Sequence, residues 1–264
     1  MRNYYYLIAG LPDISFDDSK AALTADEFRT EVYESLSGAD RKVMDLLRLE
    51  GVCRGLIGSD LMEQLEADVK ADEAPRSDIP PFMYDFVREW LDDSWRQKAA
   101  FAEDRLWSLF YEYAMAQSGN EFVSSWYEFN LNLNNILSGI TARKYNLDIQ
   151  KVIVGRNDVA EALRTSGARD WGLSQELDYF DDVLRLVEES DLSQRERKVD
   201  LLRWNWLEEH TFFNYFSVER LFSFMVRLGI VERWTTLDKE KGQQLFRKLI
   251  GDLKEQTEVP AEFK

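Results

Sequence analysis

The sequence predicts an all-α protein, a multi-helix bundle, and three observations carry that reading. Apolar residues recur at steps of three and four in nearly every segment, the spacing that gathers them on one helical face. Only 5 Pro and 13 Gly occur in 264 residues, too few for a loop-rich all-β chain. Helix-start signals, Ser, Thr or Asn followed closely by an acid, stand before several of the apolar runs. With 45% hydrophobic and 13% aromatic residues, the chain has ample material for a buried core, which argues against disorder.

Taken in order, Asn3 to Ala9 (NYYYLIA) carries β-type residues and stops at Gly10-Leu11-Pro12, which suits a short extended segment or a buried helical turn. Thr24 with Glu27 forms a capping box for a helix reaching about Leu36. Ser37 with Asp40 opens the next, with Val43, Leu46, Leu47 and Leu49 apolar, until Gly51, Gly55 and Gly58 break the pattern. Residues 66 to 81 form the clearest polar connector and end in two prolines that can open a helix. A stripe of Phe82, Phe86, Trp90, Leu91 and Trp95 follows, then a helix carrying Leu106, Trp107, Leu109, Phe110, Tyr113 and Ala114. The chain reads as one helical domain over residues 1–264; a subdivision, if present, falls near 72–80.

Asn120 to Leu147 is the centre of the reading, a long helix with Phe122, Trp126, Phe129, Leu133, Ile136, Leu137 and Ile140 on one face. Ser118 and Asn120 can cap its start, and Arg143 and Lys144 sit in its last turn, where cations suit the helix dipole. Asn130, Asn132, Asn134 and Asn135 crowd its middle. Asn is a poor interior helix former because its amide competes for backbone bonds, so these four should find partners elsewhere in the fold. At least one of Asn130 and Asn134 is expected to bond a neighbouring segment. Beyond a looser stretch from 148 to 174 with a short helix near Val159 to Leu163, helices are expected at 175–188, 193–208, 213–228 and 237–253, with a frayed tail.

The excess of acids over bases is 49 − 33, a net charge of −16, which excludes a phosphate-binding basic face and direct docking on anionic lipid. A basic protein partner suits it. A lone Cys53 leaves no intrachain disulfide and no cysteine metal cluster. The short apolar start turns acidic at once at Asp13, unlike a signal peptide, and no window reaches the ~18 apolar residues of a membrane helix. A cytoplasmic protein, peripheral to a membrane at most, is the expectation.

No catalytic, cofactor-binding or metal-ligating residue is predicted. Gly51 to Gly58 is glycine-rich but lacks the Lys-Ser or Lys-Thr of a phosphate loop, and reads as two helix ends meeting. His210 is the single histidine, too few for a zinc or di-iron site, and reads as a polar residue ending its helix. Acids cluster at Glu103-Asp104, at Asp178, Asp181 and Asp182, and at Glu188, Glu189 and Asp191. Paired acids could serve a hydrolase, but among 49 of them close pairs are inevitable, and solvated helix faces account for them better. Phe212, Phe213, Tyr215, Phe216, Phe222 and Phe224 read as core at helical spacing, with an exposed contact patch as the other reading.

Several stretches together carry a resemblance. They are NYYYLIAGLPD, EFNLNLNNIL with Arg143-Lys144, and Val154-Gly155 ahead of Arg169-Asp170-Trp171-Gly172-Leu173. Asp200 through Trp204, Thr211-Phe212-Phe213 with Tyr215-Phe216, and Glu219-Arg220 through Glu232-Arg233-Trp234 complete the set. On these the chain resembles a bacterial family encoded with V/A-type ATPases. That family is itself similar to a shortened C-type subunit of the ATPase central stalk (the d-type subunit in eukaryotes). In the C-type stalk family the long helix tends to show an acid, an Asn, an apolar pair and an Arg. Here Asn130 stands for the acid, Asn132 matches, Ile136-Leu137 match the pair, and Ser138 replaces the Arg. Losing both charges together is self-consistent, since a lone buried charge is costly. The resemblance implies a non-catalytic central-stalk subunit, a socket between rotor shaft and membrane ring, monomeric when isolated, with ring and shaft as partners. It implies no cofactor, no nucleic acid and no membrane insertion. An assembly or regulatory factor of the same ATPase and an unrelated acid-pair hydrolase are the other readings.

Overall fold

The computed structural model describes residues 4–18, 20, 23–92 and 101–256, the stretch 240–256 as backbone only. The described residues are 71% helical, well over the half that the periodicity predicts, and contain no strand. The chain divides into two compact units, residues 1–35 with 215–264, and residues 36–214.

In the first unit, α1 (Tyr5–Ala9) and α2 (Ala25–Tyr33) accompany α12 (Val218–Gln256). Of the stretch Asn3 to Ala9, Asn3 lies outside the described residues and Tyr5–Ala9 is a helical turn, but none of its helical residues is buried; Tyr4 beside it is. The Tyr4 N–H donates to the Phe216 carbonyl at 2.7 Å, which fastens the start of the chain to the entrance of α12. The capping box forms as the sequence indicates: Thr24 Oγ1 accepts from Glu27 N–H at 3.2 Å, and Glu27 Oε2 accepts from Thr24 N–H at 2.8 Å. A further orphan donor at this helix start, Ala25 N–H, is taken by Glu232 Oε1 of α12 at 3.0 Å. Phe28 and Val32 are buried, with the Phe28 ring 4.9 Å from that of Phe224.

The helices expected at 213–228 and 237–253 are one helix. α12 runs 39 residues without interruption, about 58 Å at 1.5 Å per residue. Trp234-Thr235-Thr236 holds neither Gly nor Pro, so nothing local stops it, and β-branching costs only tenths of a kcal/mol. Val218, Leu221, Phe222, Met225, Leu228 and Val231 bury its inward face. The tail from residue 257, like Trp95 of the aromatic stripe, lies outside the described residues.

The second unit holds α3 (Gly38–Arg54), α4 (Asp60–Lys70), α5 (Pro81–Leu91), α6 (Ala102–Gln117), α7 (Glu121–Tyr145), α8 (Ile149–Val152), α9 (Asp158–Thr165), α10 (Phe180–Val187) and α11 (Leu192–Thr211). Ser37, Ser59, Asn120, Asp148, Asn157 and Asp191 each accept a backbone N–H in the first turn that they cap. α3 passes straight through Gly51 and stops at Arg54; glycine costs a helix only about 1 kcal/mol. The helix expected at 175–188 is instead a 3-10 turn (Leu173–Gln175), preceded by Gly172 at φ +84°, and the separate α10. The polar connector at 72–80 lies inside this unit and joins α4 to α5, which pack together. The Tyr84 hydroxyl ties the connector down, accepting from Arg76 N–H at 3.0 Å and donating to Asp68 Oδ2 at 3.3 Å.

α7 is the axis of this unit and packs against α6, α8, α9, α10 and α11. Its burial is wider than a single stripe: Val123, Tyr127, Leu131 and Ala142 are buried as fully as Trp126, Leu133 and Ile136. Five neighbours around one helix leave little of it to solvent, a circumstance that spacing alone does not reveal. Phe122, Leu137 and Ile140 are only half-buried. The helix ends at Asn146 in the left-handed region (φ +53°), and Leu147 N–H returns to the Ala142 carbonyl at 2.8 Å.

Candidate functional site

The four asparagines of α7 bond to α6, to α11 and to the stretch between α8 and α9. Asn130 Nδ2 donates within the helix to the Trp126 carbonyl at 2.8 Å, while its Oδ1 accepts from Arg203 Nε of α11 at 2.9 Å. Asn134 Oδ1 accepts from Arg203 Nη2 at 3.2 Å, and its Nδ2 donates to the Tyr111 hydroxyl of α6, also at 3.2 Å. Arg203 Nη1 completes the fork on Asp200 Oδ1 at 3.1 Å. Asn135 pairs like a strand with Val154, donating to its carbonyl at 2.7 Å and accepting its N–H at 2.8 Å. Asn132 Oδ1 accepts from Asn157 Nδ2 at 2.7 Å, and Asn157 in turn caps α9.

Position 130 is an amide for a reason visible in these bonds. One side of it meets a guanidinium and the other a carbonyl, so it needs an acceptor and a donor; a carboxylate supplies only acceptors. Gly155 sits where the Val154 backbone closes on α7: its φ is +76°, and a Cβ there would lie 3.0 Å from Leu131 Cδ2. The Val154-Gly155 pair is thus required by close backbone approach.

A polar group of a second kind lies behind α3. Burial, and secondarily Glu50, push the Tyr111 hydroxyl up to about 12 and the Cys53 thiol, ordinarily at 9.0, also to about 12. Tyr127 is also raised well above the ordinary tyrosine value, again by burial first. Cys53, 3% exposed, should therefore resist iodoacetamide at pH 8 in the native protein and react on unfolding. Between pH 9.0 and about 12 the unfolded thiol ionises while the folded one holds its proton, so folding stability contributed here should fall as pH rises across that window. Mass spectrometry of labelled native protein checks the first point; rapid native labelling at pH 8 would contradict it.

The acids singled out by sequence are occupied in several ways. Glu103 is exposed, and Asp104 is raised by burial and then by Glu103 itself. Asp182 pairs with Arg185 at 3.0 Å, Glu189 with Lys198 at 2.7 Å, and Asp191 caps α11. His210 stacks on Trp206 with centroids 3.8 Å apart, its Nδ1 2.9 Å from the Trp206 carbonyl. Among the described residues no three His, Cys, Asp or Glu side chains gather as they would around a metal, and no helix is long and apolar enough to cross a membrane.

The aromatic run near residue 212 splits in two. Phe222 and Phe224 are core, at 0% and 2% exposure. Phe212, Phe213 and Tyr215 are 62%, 81% and 60% exposed, and Phe216 is 38% exposed, so the core reading fails for these four. They fall between the end of α11 at Thr211 and the start of α12 at Val218, where helical spacing no longer decides which way a side chain faces. Phe212 and Phe213 meet edge to face, centroids 5.0 Å apart. Phe216 rests on Tyr5 at 4.3 Å, and Tyr6 beside it is 97% exposed.

Fold and surface together describe an all-helical protein with a polar network around its central helix and exposed aromatics at residues 212–216. Residues 1–257 match the family described as "Protein of unknown function (DUF2764)", and the chain belongs to that family. No curated protein and no solved structure matches it.

Proposed function

We propose that this chain is a non-catalytic helical coupling subunit of a V/A-type ATPase, seated on the cytoplasmic mouth of the rotor ring and receiving the foot of the central shaft. The observation that carries the proposal is the segment Thr211 to Phe216, one of the stretches on which the resemblance to the ATPase-associated family rests. Phe212, Phe213, Tyr215 and Phe216 stand exposed there in a protein with ample core elsewhere. Large aromatics in water are what a partner surface covers, and they dominate interface energetics. The net charge of −16 suits the Lys- and Arg-rich cytoplasmic loops that a membrane ring presents. A stiff helical body needs no bond chemistry to transmit torque.

The test is affinity purification of the tagged chain from its native membranes. Stoichiometric recovery with the shaft and ring proteins in the intact particle is the expected result. Recovery only with partial complexes would replace the proposal by an assembly factor, and recovery without ATPase components would end it. The paired variant Phe212→Ser, Phe213→Ser should release the partners, since truncating a buried interface aromatic costs about 2 kcal/mol or more. Association with ring-containing membranes should slow as salt rises, and protein-free anionic vesicles should not bind the chain.

A further inference from the structure

We propose that the C-terminal end of α7 is a second docking surface, one that takes an acidic, apolar-bearing segment of a partner protein. This goes beyond the coupling role and does not depend on the aromatic segment, which lies toward the other end of the same helix. α11 runs antiparallel to α7: Arg203 meets Asn130 and Asn134, while Trp206 meets Phe129 and Phe122, ring centroids 5.2 Å and 5.6 Å apart. Thr211, Phe212 and Phe213 therefore follow toward the start of α7. Arg143 to Leu147 mark its finish, about 37 Å away along its 25 residues.

Charge singles this end out. Within 143–151 and 164–170 stand five cations, Arg143, Lys144, Lys151, Arg164 and Arg169, against two acids, Asp148 and Asp170. That is net +3, so the rest of the chain, −16 less +3, carries −19. Hydrogen bonds bring these segments together. Arg143 gives Nη1 to the Arg169 carbonyl at 2.6 Å and Nη2 to that of Ala168 at 2.8 Å, which draws the loop before Trp171 against the end of α7. Gln150 Nε2 gives to the Arg164 carbonyl at 2.9 Å and joins α8 to the end of α9. An open recess of about 300 Å³ is lined by Arg143 and Arg164 together with Asn146, Leu147 and Ser166.

Little within the chain neutralises these cations. Lys151 pairs with Asp148 at 3.5 Å, but both side chains are more than half exposed, and such a pair is worth little in water. Asp170 acts on Arg143 through space while its oxygens accept from Ser174 Oγ and the Gly172 N–H. Arg143, Lys144, Arg164 and Arg169 make no ion pair among the described residues. Two of them are fixed in place: Arg164 Nη2 gives to the carbonyls of Ile153 and Gly155, each at 2.8 Å, and the Arg143 guanidinium lies 3.5 Å from the Trp171 ring centroid. Carbonyls orient a guanidinium without cancelling its charge, so less order is lost when a carboxylate arrives.

Apolar surface lies beside the charge. Where Leu147 N–H returns to the Ala142 carbonyl, the residue in that position commonly packs back on its helix. Leu147 is instead 53% exposed, and Tyr145 is 63% exposed. Apolar side chains rimmed by polar groups mark interaction sites. Charge complementarity then selects the occupant. A lipid surface or a nucleic acid is an extended polyanion and would also meet the −19 of the remaining chain, whereas a short acidic segment meets this end alone.

The test is a proton–nitrogen NMR titration of the full chain with the peptide acetyl-Glu-Asp-Leu-Phe-Asp-Glu-amide. One control replaces its acids by Gln and Asn, and another replaces Leu and Phe by Gly. Only the first peptide should bind saturably, moving the amides of Asn146, Leu147 and Arg169, and less tightly as salt rises. Lys144→Glu with Arg169→Glu, both exposed, should weaken it about tenfold or more, since repulsion replaces attraction at two points. Tyr145→Ser with Leu147→Ser should weaken it as well. Lys42→Glu with Lys70→Glu, the same change of charge on α3 and α4, should not. Phe212→Ser with Phe213→Ser should leave the titration unchanged, which separates this surface from the aromatic one. Equal binding of either control peptide, or unchanged binding by the Lys144 and Arg169 double variant, would overturn the proposal. So would the same amides answering to anionic vesicles, to an oligonucleotide or to self-association of the chain, each of which assigns the surface to a different occupant.

Discussion

Arg203→Ala should destabilise the protein by about 3–5 kcal/mol, the cost of removing one member of a buried, hydrogen-bonded charge pair. The side chains of Arg203 and Asp200 are 19% and 3% exposed, and their contact is 3.1 Å. The same guanidinium also satisfies Asn130 and Asn134, so a single truncation withdraws a donor from three acceptors on two helices. Arg203→Lys should recover part of the loss. An ammonium can stay near Asp200, but a single nitrogen cannot reproduce the three directions of the planar fork. Denaturant unfolding checks this: the midpoint should fall in the order wild type, Lys, Ala with little change in slope. An Ala variant within about 1 kcal/mol of wild type would mean that water replaces the arginine and that the network is ornamental.

Leu133→Ala should cost about 2–5 kcal/mol, since Leu133 is wholly buried in the helix that five others surround. The range reflects how far the neighbours can collapse. Glu103→Ala, on an exposed first turn, should stay within about 0.5 kcal/mol. Paired melts of the two variants decide the matter, and equal shifts would remove α7 from the centre of its unit.

Much of this fold is legible without coordinates. Thr24 and Glu27 announce a capping box, Ser37 and Asn120 announce helix starts, and each appears in place because caps depend on neighbours three residues away. The long helix near 120–147 is legible for the same local reason. Its asparagines signal partners by being poor helix formers, and Arg203 proves to be the partner of Asn130 and Asn134. The identity of that partner is not legible, because it stands 73 residues from Asn130 and no spacing rule reaches so far. The continuity of α12 through Thr235-Thr236 escapes as well, since weak propensities are overridden by packing.

The candidate site divides along the same line. By itself the sequence determines an acidic, helical chain with its helix starts, its central helix and a cluster of aromatics near residue 212, because these follow from composition and short-range periodicity. Only the tertiary structure decides that Phe222 is core while Phe213 meets solvent, that Arg143 lies over Trp171, and that a cavity opens beside them. Exposure, unmet donors and cavities are properties of surfaces that different segments leave between them, and those surfaces exist only once the helices have packed.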